Sequence, residues 1–135
     1  MRNRDLAIDY VRRCKARLAA IDTLFEQESW PDVVRESQEV VELALKACLR
    51  HFGIEAPRIH DVSEVLVAES DHLPPSLRTV VPDLATISRS LRRDRELAFC
   101  GAEDLTPLDF YSRADAEVAR DGARRVVQAV ADHVK

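Results

Sequence analysis

The stretch SWPDVVRESQEVVELALKACLRHFG, residues 29–53, carries the decisive pattern. Val34, Val41, Leu45, Cys48 and Phe52 recur at helical spacings and form one apolar face. Ser29 with Asp32 three residues on is a capping-box start, and Gly53 is suited to a left-handed C-cap. This segment predicts a long helix that must bury its face against other helices.

The flanking sequence supplies them. Val11, Cys14, Leu18, Ile21 and Phe25 repeat the same stripe, predicting a first helix over about Arg4–Glu28. After Gly53 a loop carries Pro57, and Asp61 with Glu64 opens a short helix through Val65 and Leu66. SDHLPP breaks that helix, Ser76–Val81 reads as a separate turn, and a further long helix starts near Pro82 and ends at about Cys100. GAEDLTPLDFY is a loop. Ser112 and Asp115 box the start of the last helix, whose inner face is Ala119, Ala123, Val126, Val130 and Val134. No strand pattern of convincing length appears. The expectation is an all-α, antiparallel up-and-down helical bundle of four longer helices and one short one, a single domain over residues 1–135.

The composition agrees and narrows the function. The 135 residues are 46% hydrophobic and 33% charged, with a net charge of −4 and only three glycines. That balance suits an acidic globule, and the overall field opposes polyanions, so a nucleic-acid role needs a local arginine or lysine cluster. No apolar run is long enough to span a bilayer, so no membrane association is expected, and a cytoplasmic location is. Cys14, Cys48 and Cys100 are widely spaced, with no CxxC, and imply neither disulfides nor a zinc site. No metal and no cofactor is expected.

The chemistry concentrates in LRRDRELAFCGAED, residues 91–104. At about 100° per residue with Leu84 at zero, Ile87 falls near about 300°, Leu91 near about 340° and Arg95 near about 20°. Arg95 therefore shares the apolar sector, Arg92 borders it and Arg93 points away. A guanidinium on such a face either pairs with an internal carboxylate, for which Glu39, Glu42 and Asp115 are candidates, or faces a cleft. In a cleft, Arg92 and Arg95 one turn apart form an anion grip. Arg35, Glu39, Glu42, Lys46 and Arg50 make a polar stripe on the second helix, which as a structural feature is a solvated face with local ion pairs. No GxSxG, Gly-rich phosphate loop or HExxH is present.

EVVELALKACLRHFGIEAPRIHDVSEVL and RDRELAFCGAEDLTPLDFYSRADAEVARDGARRVV together resemble the HEPN domains, small helical bundles associated with nucleotide and RNA chemistry. The first matches the family's helix with a Glu, a Leu-Lys-Ala and a Gly, then a proline-bearing loop and a His-Asp turn. The second matches its Arg-Glu-x-Ala-Phe-x-Gly segment, a Tyr and an Asp-Ala helix start.

In the ribonuclease branch an arginine is followed, after four to six residues, by a histidine in a cleft between two subunits. Arg95 takes the arginine position here, but Cys100 stands where the histidine is expected, and no other arginine has a histidine at that spacing. A thiol passes protons poorly at neutral pH where an imidazole does so readily.

The resemblance thus implies a non-catalytic, homodimeric module that binds a nucleotide or RNA phosphate. Arg92, Arg95, Glu96, Glu42, Lys46, His60 and Tyr111 are its candidate ligand-binding residues. It further implies a separate minimal nucleotidyltransferase as partner in a two-component, toxin–antitoxin-like system. Two alternatives stand beside it: a metal-independent endoribonuclease toxin using Cys100, and a structural subunit whose arginines are locked in internal salt bridges.

Overall fold

A computed structural model of the chain describes residues 2–55, 61–100 and 111–135, and within these all side chains except those of residue 2 and residues 94–100. Six α-helices and one 3-10 turn make up the described residues: α1 (Arg2–Glu26), α2 (Trp30–His51), α3 (Val62–Ala68), the 3-10 turn Ser70–His72, α4 (Pro75–Arg78), α5 (Val81–Cys100) and α6 (Arg113–His133). The four longer helices form the expected bundle. The region read as one short helix and a separate turn is α3, the 3-10 turn and α4 in succession.

The helix α2 is the centre of the bundle, packing against α1, α5 and α6 and touching α3. Three neighbours demand more than one apolar face. Val34, Val41, Leu45 and Cys48 are buried as predicted, and Val33, Val40, Ala47 and Leu49 are buried on other sides of the same helix. Ser37 and Gln38 are enclosed with them. The polar stripe is accordingly not a uniformly solvated face: Arg35, Glu39 and Glu42 are half-buried, and only Lys46 and Arg50 are exposed. On α6, Ala119, Ala123, Val126, Val130 and Val134 are all buried. Alanines there allow close helix approach. At Gly122 the approach is close, since a Cβ would lie 3.0 Å from the Ile87 side chain on α5.

Helix ends follow local chemistry, with two departures from expectation. The chain leaves α1 through Glu28 at a φ of 58°, with the Glu28 amide donating to the Phe25 carbonyl and the Ser29 amide to that of Leu24. That turn occupies the Ser29 amide, so Asp32 accepts the Ser29 hydroxyl instead, at 2.6 Å, and the anticipated capping box at α2 is reduced to this side-chain pair. At α3, Asp61 does cap, but through Ser63, whose amide and hydroxyl donate to it at 2.9 and 2.8 Å. Gly53 ends α2 at a φ of 73°, with its amide donating to the Arg50 carbonyl and that of Ile54 to the Leu49 carbonyl, the two-bond closure that a left-handed residue permits.

The box at α6 is complete. The Ser112 amide donates to Asp115 at 2.8 Å, while the Asp115 amide donates to the Ser112 hydroxyl at 3.3 Å. Ser112→Ala is expected to cost about 1 kcal/mol of stability, read as a lower urea midpoint with an unchanged m-value.

Aromatic and ionic contacts seal the end of the bundle where α1 and α2 meet. Phe25 and Trp30 pack edge to face at 5.0 Å, and the Arg120 guanidinium lies 3.8 Å from the centre of the Phe25 ring. Asp22 takes both Arg120 and Arg124, tying α1 to α6.

Candidate functional site

Three elements converge where α5 crosses α2 beside the start of α3. From α5, Arg92 directs Nη1 to Glu42 Oε1 of α2 at 3.8 Å and to Asp61 Oδ1 at 3.5 Å. All three side chains are partly exposed, Arg92 at 42%, Glu42 at 25% and Asp61 at 22%. The same Asp61 carboxylate caps α3 through Ser63. One carboxylate thus holds a helix start and a guanidinium together, which fixes the entrance to α3 relative to α5.

The register of α5 explains the convergence. Val81, Leu84, Ser88 and Leu91 are buried along one column, and Ile87 is packed at its edge. Arg92 follows on the flank of that column, close enough to the core for its stem to pack and far enough out for its head to reach solvent. Arg93 is exposed, as its phase predicts. The α5 backbone continues through Arg95 and Glu96, but their side chains, with that of Cys100, lie outside the described residues, as does His60.

Of the sequence-predicted residues, Arg92 and Glu42 are therefore in direct contact. Lys46 is exposed one turn further along α2. Tyr111 is a core residue, 8% exposed, immediately before the Ser112 cap. Asp115, a candidate arginine partner by sequence, has its carboxylate engaged by Ser112.

The sequence marks Asp61 only as a cap; its second role, as an arginine partner, emerges from the fold. The available signal was the His-Asp pair after the Pro57 loop, but no local spacing in the sequence joins residue 61 to residue 92.

Chemically, the cluster is an arginine held by two carboxylates. It orients a guanidinium and neutralises it at once, so tight capture of an anion here requires additional positive charge. Among the described residues no group of three His, Cys, Asp or Glu side chains is arranged to hold a metal ion, and no helix is long and apolar enough to cross a membrane.

Comparison with known proteins bears on the whole chain. A relative in Methanocaldococcus jannaschii, named "Putative toxin MJ1304", is 27% identical over 132 residues, covering 93% of this chain and 86% of its own. No solved structure matches. The model of the HEPN domain matches residues 7–133, which takes in α1 from residue 7 onward, all of α2, α5 and α6, and the Glu42–Asp61–Arg92 junction. The chain belongs to the HEPN domain family.

Proposed function

We propose that this HEPN chain is a non-catalytic module that binds a nucleotide or RNA phosphate beside the α2–α3–α5 junction, with Arg95 as the principal cation and Arg92 as its oriented neighbour. The carrying observation is the placement of Arg92: partly exposed, yet held in one direction by Glu42 and Asp61. Because those carboxylates offset its charge, the anion's affinity rests on Arg95, one turn further along α5. Lys46 supplies a further exposed cation on α2.

The relative's name supports a toxin-type role. The sequence, with Cys100 where a ribonuclease needs histidine, favours binding over cleavage. In this reading the chain acts as a homodimer with a separate minimal nucleotidyltransferase.

Titration of the protein with ATP, GTP and short RNA tests it. Arg95→Ala is expected to weaken the bound ligand by about tenfold or more, with the circular dichroism of the helices unchanged. Absence of binding, or binding indifferent to Arg95→Ala, overturns the reading. RNA cut in the presence of chelator by the wild type but not by Cys100→Ser would establish the endoribonuclease alternative instead.

One observation favours a purely structural reading, namely that Arg92 is already paired. In that case Arg92→Ala destabilises the fold and leaves any ligand affinity untouched.

A further inference from the structure

A second feature lies on the far side of the bundle, in the seam between α1 and the end of α6. A groove of about 450 Å³ runs there, floored by Ile8, Val11, Ala131 and Val134. Val11 and Val134 are buried, but Ile8 remains 40% exposed. The rim is basic: Arg12 and Lys15 stand on α1 and Lys135 follows α6. Ile8, Val11, Arg12 and Lys15 fall at i, i+3, i+4 and i+7, a continuous two-turn strip of one helix face. Neither Arg12 nor Lys15 forms an ion pair or hydrogen bond with a described residue, in contrast to Arg17, Arg92, Arg113, Arg120, Arg124 and Arg125. Asp5 and Asp9 lie on α1 but line no part of the groove.

We propose that this groove docks an acidic amphipathic helix of a partner protein, with aliphatic side chains over Ile8 and Val134 and carboxylates against Arg12, Lys15 and Lys135. Helix-in-groove recognition needs an apolar floor with anchors at helical spacing, and the charge of the rim selects the sign of the partner. A second copy of this chain fits poorly, because a two-fold contact through the same patch sets Arg12 and Lys15 against their own equivalents. A single-stranded nucleic acid fits poorly as well, because the floor is aliphatic and has no aromatic ring on which a base could stack.

The proposal is independent of the α5 arginines, so its test does not involve them. A synthetic helix of about 18 residues, with leucines at i, i+3, i+4 and i+7 and glutamates elsewhere, serves as the probe against the full chain, and its lysine counterpart is the control. The glutamate helix is expected to bind and the lysine helix not to. Ile8→Glu and the double variant Arg12→Glu/Lys15→Glu should each weaken binding by about tenfold or more. Amide shifts should map to residues 8–15 and 129–135. The Ile8, Arg12 and Lys15 side chains are exposed, so the variants should keep the wild-type helical signal, which separates lost docking from lost fold.

Equal binding of the lysine helix, affinity unchanged in the groove variants, or shifts mapping elsewhere would overturn the proposal. So would a chain that is dimeric in solution and becomes monomeric with Ile8→Glu, or a groove that takes short RNA in place of the peptide.

Discussion

Leu45→Ala is expected to lower the unfolding free energy by about 3 kcal/mol, within the 2–5 kcal/mol typical of a leucine truncated in a core. Leu45 is fully buried on α2, the central helix, which packs against α1, α5 and α6 at once. Around a peripheral helix the neighbours can move in and reclaim part of the lost volume. Around α2 they are held by their own contacts on opposite sides, so much of the cavity persists and the cost exceeds the transfer free energy of the missing carbons. For a domain of this size that loss corresponds to a drop in melting temperature on the order of 10 °C. Chemical denaturation should show a shifted midpoint at constant m-value. Leu43, on the same helix but only partly buried, is the internal comparison, and Leu43→Ala should cost less than half as much. A Leu45→Ala loss below about 1 kcal/mol would mean that the α2 core collapses around the deletion and is not the rigid centre of the bundle.

That central role of α2 was only partly legible in the sequence. The face of Val34, Val41, Leu45 and Cys48 stands out because its spacing is helical and unbroken. The burial of Ser37 and Gln38 does not, because a single strip of periodicity says nothing of how many neighbours a helix has. Enclosure of these polar residues is a tertiary fact, and the Ser37 hydroxyl finds no hydrogen-bond partner among the described residues. On α6 the stripe of alanines and valines at spacings of three and four was legible, whereas the burial of Ala116, Val127 and Ala129 follows from α6 packing against α1 and α5 as well as α2.

The candidate site behaved in the same way. The phase of α5 separates exposed Arg93 from half-buried Arg92, because phase depends only on the helix. The pairing of Arg92 with Glu42 and Asp61 depends on where α5 crosses α2 and where α3 begins. No side-chain periodicity encodes that crossing. Cap chemistry was legible where the amides were free, at Ser112, and misread where the preceding turn had already used one, at Ser29.

The two buried thiols should make the protein labile in alkali. Cys14 and Cys48 are both fully enclosed, and the Cys14 thiol lies 3.6 Å from the Val40 carbonyl as a donor. Burial pushes the Cys14 thiol up from its ordinary value of 9.0 to about 11, against the opposing pull of Arg17 and Arg13. The same desolvation, with no cation to offset it, pushes Cys48 up to about 12. Unfolded thiols therefore lose their protons at lower pH than folded ones, and the stability tied to these groups is intact below pH 9 and lost as the pH rises through 11 and then 12. Between about pH 8 and about pH 10 the two together should remove roughly 2–3 kcal/mol. Denaturant titrations at those two pH values read it directly, and Cys14→Ala/Cys48→Ala, although less stable at neutral pH, should show a flatter alkaline slope. The same burial controls reactivity. In a Cys100→Ser background, labelling with a thiol reagent at about pH 8 should be slower in the folded protein than in denaturant by about two orders of magnitude, from the missing thiolate alone. An alkaline slope identical in the wild type and the double alanine variant, or two thiols that label in the folded state as fast as in the unfolded, would show that α1 and α2 open around Cys14 and Cys48 far more readily than their packing implies.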